Sequence, residues 1–375
     1  MNKEQNRPCA DDTTREPLIS VIVPVYNAER YLDGCLGSLQ SQTLDRIEII
    51  CVNDGSTDGS EEILRRYASR DPRFVVLSHE NRGLGRTRNA GLAIARGRYI
   101  MFVDSDDYIE LNSCETVFRE MESESADVLM FCSYLEYDHT MIPQRPLGDQ
   151  RRCFENGESQ SFLFRHLVGF VGGELRAPEK QDKLTSACMK GYRRGMLTDH
   201  GILFGDNRVI GSAEDALFNI DVFAVADKCV YIPTVLYHYI RTNEASITTV
   251  YREKLHEKHA RFMEEIRKRI TENAYAADHA ELFERAYRNR YAISILSLGL
   301  NEANCDCSFG GKVKKIKILM NRPGYREAVK QLPLRPMAGY WKVFFLCVKM
   351  RAAFAVTLLL TAIKSLRARR KKVKK

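Results

Sequence analysis

From Leu18 onward, short unbroken apolar runs alternate with stretches whose apolar residues recur every three or four positions. Leu18–Val23 is a β-branched run, and Ala28–Gln42 carries helical spacing at Tyr31, Leu32, Cys35, Leu36 and Leu39. Ile47–Val52 reads as the next strand, and a helix follows through Ser69. Strand Phe74–Leu77, helix Leu84–Ala95 and strand Tyr99–Val103 complete the series. Four buried strands separated by helices predict an α/β fold, with a largely parallel sheet covered by helices on both faces. Such sheets bind ligands outside the carboxyl ends of their strands. The polar clusters Tyr26-Asn27, Asp54–Asp58 and Asp104–Asp107 all fall there.

Beyond Leu111 the pattern is less regular. A helix is expected around Glu115–Ser123 and a strand over Asp127–Tyr134, followed by Gly- and Arg-rich sequence. A second strong helix begins at Ala213-Glu214-Asp215, and Val230–Pro233 leads to Leu236–Ile240. From Tyr251 the signals are helical, through Glu265–Ile270 and Ala280–Leu300. Tyr340–Val348 and Ala352–Ile363 are apolar but interrupted by Lys349 and Arg351, too short for a spanning helix of about 20 residues. Two arrangements fit this end: an interfacial helix on anionic lipid, or a terminal helix packed on the protein with a solvated tail.

Charge sharpens this picture. The net charge is +8, but ten Lys or Arg and no acid lie between Lys349 and Lys375, which leaves about −2 for the rest. The basic character belongs to the tail, so nucleic acid is not an expected partner. Met1–Glu16 is polar and lacks the apolar core of a secretory leader. The eleven cysteines are scattered without a CxxC pair, which suits reduced thiols in a cytoplasmic protein.

The strand ends hold the candidate chemistry. Asp104, Asp106 and Asp107 follow a buried strand, where carboxylates repel unless a cation joins them. They form either a solvated acidic turn or a site for a divalent metal carrying a phosphate. Pro24 removes a donor and fixes the exit of the first strand. Tyr26 offers a ring to a base, and Asn27 is placed to cap the following helix. Asp54 fits either an Asx turn or acceptance from an imide N–H. Asn81–Asn89 is a Gly-containing loop opening a helix, where amides and Arg suit diphosphate. Asp215 reads either as the third helical position after a Ser212 cap or as a general base at a helix start.

In order along the chain, Ser20–Asn27 (SVIVPVYN), Val52–Asp58 (VNDGSTD), Asn81–Asn89 (NRGLGRTRN) and Asp104–Asp107 (DSDD) closely resemble the family 2 glycosyltransferases. The resemblance is dense over residues 17–110. It continues loosely through Lys190–Arg194 (KGYRR), Glu214-Asp215 and Tyr237–Ser246, and stops near Tyr251. It implies a GT-A fold, a nucleotide-diphosphate-sugar donor, expected to be a UDP-sugar, and inversion at the anomeric carbon. By position, Pro24, Tyr26, Asn27, Glu29 and Asp54 would surround the nucleoside. Arg88 would lie near the donor, with Arg241 as a further cation on that side. Asp104 and Asp106 would hold Mg or Mn, Asp106 as the more direct ligand. Asp215 would be the base, with Glu214 beside it supporting the acceptor.

The expected organisation is a disordered 1–16, a nucleotide-sugar-binding half at 17–110 and an acceptor-binding half at 111–249. A helical extension at 250–338 and an amphipathic basic tail at 339–375 follow. No QxxRW pattern or set of spans is present, so a single-addition enzyme is expected. Its acceptor would be a glycan or lipid-linked glycan of the bacterial surface-polysaccharide type. An anionic membrane surface contacted through 340–375 would place it at the inner face of the cell membrane. Cys188 stands where many relatives carry Trp. The competing classes are a nucleotidyltransferase, which lacks its early Gly-rich phosphate loop here, and a noncatalytic membrane-bound scaffold of the same fold.

Overall fold

The computed structural model describes residues 16–137, 140–211, 213–241 and 251–372. Ten strands form one sheet among these residues: β1 (Ile19–Val25), β2 (Ile47–Asn53), β3 (Phe74–Ser78), β4 (Tyr99–Phe102), β5 (Tyr108–Ile109), β6 (Val128–Tyr137), β7 (Thr140–Gln144), β8 (Arg152–Phe154), β9 (Lys190–Arg193) and β10 (Cys229–Ile240). The order is β3-β2-β1-β4-β9-β6-β10-β5, with β7 on β6 and β8 on β10.

The first four strands are parallel, as their unbroken apolar runs predict. All seven residues of β1 and of β2 are buried, which requires cover on both faces. The parallel run is interrupted at β9, which runs antiparallel to both β4 and β6, while β6 and β10 beyond it are again parallel. The expected strands at Val230–Pro233 and Leu236–Ile240 are one strand, β10. Its register against β6 shifts between Tyr231 and Tyr237, the stretch that contains Pro233. A proline there costs no ladder bond that the bulge has not already given up.

Register fixes where the strands stop. Val25 pairs with Asn53, Asn53 with Ser78, and Ile22 with Phe102. The loops after β1, β2, β3 and β4 therefore open along one edge of the sheet.

The expected helix Ala280–Leu300 is divided into Ala280–Ile293 and Ile295–Ala303. Ser294 lies at the junction and its hydroxyl bonds back to the Tyr291 carbonyl at 2.6 Å, a bond that bends helices. The helices after Ile295 share a core of their own, which includes Ile316, Trp341, Phe345 and Leu360. Gly299 allows this packing, since a Cβ there would lie 2.7 Å from a Leu360 methyl.

The end of the chain folds back as helix Gly339–Lys349 and helix Ala353–Lys372. One side of this pair is buried, as the packed arrangement expects, and the other is apolar and exposed, as the interfacial one does. No helix among the described residues is long and apolar enough to cross a membrane. The disorder expected for 1–16 concerns residues outside the described part except Glu16. The Ser212 cap, 242–246 of the Tyr237–Ser246 motif, and 373–375 of the basic end also lie outside it.

Candidate active site

The loops after β1 and β2 are clipped together. Asn27 takes a left-handed backbone conformation, φ 50°, which Asn tolerates better than most residues. Its side-chain oxygen accepts from the Thr57 amide at 2.8 Å, and its own amide donates to the Ser56 hydroxyl at 3.0 Å. The expected cap is therefore not made: Ala28 is the N-cap residue and has no side-chain oxygen to offer. Asp58 supplies the acceptor instead, taking the Glu29 amide at 3.1 Å, while the Glu29 carboxylate takes the Gly59 amide at 2.9 Å. Two helix starts thus cap each other across the sheet edge. Tyr26 stands out of this junction, 53% exposed.

Asn53, not Asp54, closes the Asx turn, accepting from the Ser56 amide at 3.0 Å. Asp54 is buried and reaches the next loop, accepting from the amides of Arg82 at 2.7 Å and Gly83 at 3.0 Å. That loop opens helix Leu84–Ile94. At Gly85 a Cβ would lie 2.2 Å from the Gly205 carbonyl, so only glycine admits the segment that carries Phe204 and Asn207.

Arg88, one turn into this helix and 1% exposed, is the centre of the arrangement. Its guanidinium meets Asp215 at 2.5 Å, Asp104 at 2.8 Å and Glu214 at 3.7 Å, and lies over the Phe204 ring at 5.1 Å. Burial works against its charge, but Asp215 and then Asp104 outweigh this and push its pKa up. Carboxylates from two distant parts of the chain thus share one buried cation. The second Asp215 oxygen accepts from the Ala187 amide at 3.1 Å. Lys190 holds that loop through the carbonyls of Leu184 and Ser186, and burial lowers its own pKa to about 8. Ala213 precedes the helix Glu214–Val225 without a side-chain cap bond. Asp215 faces Arg88 and the Ala187 amide, while the Ser212 of the shortened capping box lies outside the described residues.

Glu214 is buried, its Oε2 has no hydrogen-bond partner, and its pKa is pushed up to about 7. Burial is the main cause and the Asp215 charge the next, with Arg88 opposing both. In the loop after β4 the three aspartates divide. Asp107 is buried, accepting from the Tyr237 hydroxyl at 2.6 Å and the Ile240 amide at 2.8 Å. Burial and then Asp104 raise its pKa. Asp104 and Asp106 stay partly exposed at the loop's outer side. Among the described residues no cluster of three or more His, Cys, Asp or Glu could enclose a metal alone. Two carboxylates open to solvent do match a hard cation that completes its shell with phosphate and water. Pro24, expected at the exit of the first strand, lies inside β1, paired with Val52 of β2 one residue before the strand ends at Val25. Arg241, directly after β10, lies over the Tyr239 ring at 4.8 Å and donates to its hydroxyl at 3.2 Å.

A cavity of about 420 Å³ opens above this cluster. Asp104, Glu214 and Asp215 line one side, and His259, Phe262 and Arg290 from the helices line the other. Sequence reasoning missed this second wall, and it missed Tyr237 and Asp182 as lining residues. His259 and Phe262 carried a signal, three positions apart on one face of a helix. Cys188 is buried at the cavity's edge, 3.9 Å from the guanidinium of Arg88.

Comparison with known proteins gives three findings. The family model "Glycosyl transferase family 2" matches residues 20–201. EpsH of Bacillus subtilis (strain 168), a glycosyltransferase by name, is 37% identical over 242 residues, 64% of this chain and 65% of EpsH. The poly(ribitol-phosphate) beta-glucosyltransferase of Bacillus spizizenii is 47% identical over 226 residues, 59% of this chain and 32% of that protein. The chain thus spans just under two thirds of the first relative and a third of the second. The crystal structure of S. aureus TarS 1-349 in complex with UDP-GlcNAc is similar at TM-score 0.64 and 19% identity. The match covers 92% of this chain and 91% of that one. The likeness shows the fold, which is GT-A.

Proposed function

Since residues 20–201 place the chain in the family 2 glycosyltransferases, we propose that it moves one sugar from a nucleotide-diphosphate sugar to an acceptor hydroxyl, with inversion. One observation carries the reading: buried Arg88 ties Asp104, on the donor side, to Asp215, at the floor of the cavity. The donor is a UDP-sugar, with its nucleoside against Pro24, Tyr26, Asn27, Glu29 and Asp54. The exposed Tyr26 ring is free to stack on the base, and Asp54 Oδ2 keeps a lone pair beyond the Gly83 amide it accepts, while Oδ1 also lies 3.3 Å from His79 Nδ1. Arg241 lies toward the diphosphate.

Asp104 and Asp106 would hold Mg or Mn, which as a Lewis acid supplies stabilisation of charge on the departing diphosphate. Asp215 takes the proton of the acceptor hydroxyl as its oxygen attacks the anomeric carbon. Arg88 and the Ala187 amide orient that carboxylate by occupying one lone pair on each oxygen. Glu214, with an unpartnered oxygen, receives a second acceptor hydroxyl. The acceptor-binding half, 111–249, and the helical extension, 250–338, form opposite walls of the acceptor site. The acceptor is a lipid-linked or surface-polysaccharide glycan, and residues 340–375 hold the chain on the inner face of an anionic membrane.

The test is nucleotide release from UDP-, GDP- and dTDP-sugars with Mg or Mn, with membrane extract as acceptor. Release should require the metal and stop on chelation. Asp215→Asn should lower it by about 100-fold or more, and Asp106→Ala should lower it strongly. Full activity in Asp215→Asn would remove the base from Asp215. No release with any donor would favour a noncatalytic scaffold.

A further inference from the structure

The last two helices bury one side each against the helical core, through Trp341, Phe344, Phe345, Val356 and Leu360. Their other sides are apolar and open. Tyr340, Val343, Leu346 and Met350 recur every three or four positions on the first, and Phe354, Leu358 and Leu366 at multiples of four on the second. Met350 is 71% exposed and Phe354 is 62% exposed, values that describe faces turned to solvent. Contiguous exposed apolar surface of this kind marks an interaction site. The Phe309 ring meets Phe354 at 5.4 Å and extends the apolar surface to helix Phe309–Met320, which also bears Lys312, Lys314, Lys315 and Lys317.

That helix leads to a cavity of about 210 Å³ whose lining includes three cations, Lys254, Lys315 and Arg322, and two acids, Glu253 and Glu302. Lys315 is engaged there, 2.7 Å from the Tyr251 hydroxyl and 3.6 Å from Glu302. Lys254 and Arg322 have no ion-pair partner among the described residues. Lys254 also adopts a left-handed backbone conformation, φ 56°, which is costly for a residue with a side chain. Burial and then Arg322 push the pKa of His256 down, against Glu257 and Glu302. Ile318, 59% exposed, adds an apolar side chain to the rim of this cavity.

We propose that the cavity receives the phosphate of an anionic lipid headgroup while the two apolar stripes enter the bilayer interface. The chain is then seated on the membrane in one orientation. This rests on the reading of residues 340–375 as membrane-associating, and adds to it a specific headgroup site and a second contact far from the basic end. The chemistry is that of a phosphate between a guanidinium fork and an ammonium, reinforced by the negative potential of the leaflet.

The test sediments the full chain with vesicles of phosphatidylcholine alone or mixed with phosphatidylglycerol. The unaltered chain should prefer the mixed vesicles. Lys254→Gln with Arg322→Gln should weaken binding to mixed vesicles about tenfold or more, as each substitution loses a direct charge-assisted hydrogen bond to the headgroup phosphate. Binding to phosphatidylcholine alone should not change. Lys314→Gln with Lys317→Gln removes the same charge outside the cavity and should weaken binding much less. Phe354→Ser with Leu358→Ser should release the chain from both vesicles. Inorganic phosphate at matched ionic strength should not displace the chain, because the stripes keep headgroups at high local concentration. Complete displacement would make the cavity a site for free phosphate and overturn the proposal. Equal losses from the two cation pairs would leave only diffuse attraction and overturn the cavity site alone. A chain that binds neither vesicle would overturn the membrane reading beneath it.

Discussion

The strand-rich half and the helical half of this chain are both well buried, yet they place their functional groups by different means. In the first, backbone register decides where loops begin. Val25, Asn53 and Ser78 stand side by side, so Tyr26, Asp54 and the loop before Arg88 share one edge. In the second, helix faces decide. His259, Phe262 and Arg290 reach the cavity because two helices pack at a particular distance from the sheet. Ladder hydrogen bonds tolerate little slippage, since one residue of shift turns every side chain over. Helix faces can be repacked with similar volumes at small cost. On the proposed reading, the reacting groups stand on the rigid half, and the wall that would meet the acceptor on the adaptable one.

The largest expected effect comes from cutting the tie within the rigid half. Arg88→Met leaves Asp104, Asp215 and Glu214 around a neutral side chain. Breaking a buried ion pair in this way costs about 3–5 kcal/mol, and nucleotide release should fall by about 100-fold or more as Asp215 loses its orientation. Arg88→Lys should recover part of the stability and little of the activity, because one ammonium cannot bridge two carboxylates as a fork does. Urea melts and release assays on both variants check this. A Met variant as stable as the unaltered chain would mean that Arg88 is not what joins the donor side to the base.

The second effect separates the two halves. Phe345 is fully buried in the helical core, and Phe345→Ala should cost about 3–4 kcal/mol through lost contacts and a cavity. Hydrogen exchange should then quicken in 295–360 while the amides of β1, β2 and β4 keep their protection. Equal quickening in both would show that the two cores unfold as one unit and that the comparison between them does not extend to stability.

The rigid half was the legible one, for the same physical reason. Buried parallel strands must be continuously apolar, so Leu18–Val23 and Ile47–Val52 announced themselves, and the polar residues after them marked the strand ends. Asp215 was legible only as an alternative. A helix start favours a carboxylate whether it caps or reacts, and the approach of Arg88, 127 residues earlier in the chain, on which the proposed base role draws, leaves no local trace. Asn27 was misread because Asn before a helix is the usual cap, while here the neighbouring loop offers Asp58 as a better-placed acceptor. The cavity wall at His259 and Arg290 lay in an ordinary amphipathic pattern, where nothing local says which neighbour a helix face will meet. Cooperation among residues far apart in sequence is what periodicity does not record.

The smallest effect lies at the seam between the halves. Glu214 faces Asp215 and Arg88, and burial with the Asp215 charge pushes its pKa up to about 7 from a usual 4.5. The folded chain therefore binds this proton more tightly than the unfolded chain does. The stability it contributes is complete below about pH 4.5 and is lost as pH rises through about 7, a change of about 3 kcal/mol. Glu214→Gln keeps the shape, carries no titrating proton and should flatten this part of the profile. Urea midpoints between about pH 5 and pH 8 should fall for the unaltered chain and fall less for the variant. If the two slopes are equal, Glu214 is already ionised at the lower pH, and the seam is wetter than its burial indicates. If they differ as expected, the acceptor wall meets a carboxyl group that is half protonated near neutral pH, able both to donate to an acceptor oxygen and to accept from a hydroxyl.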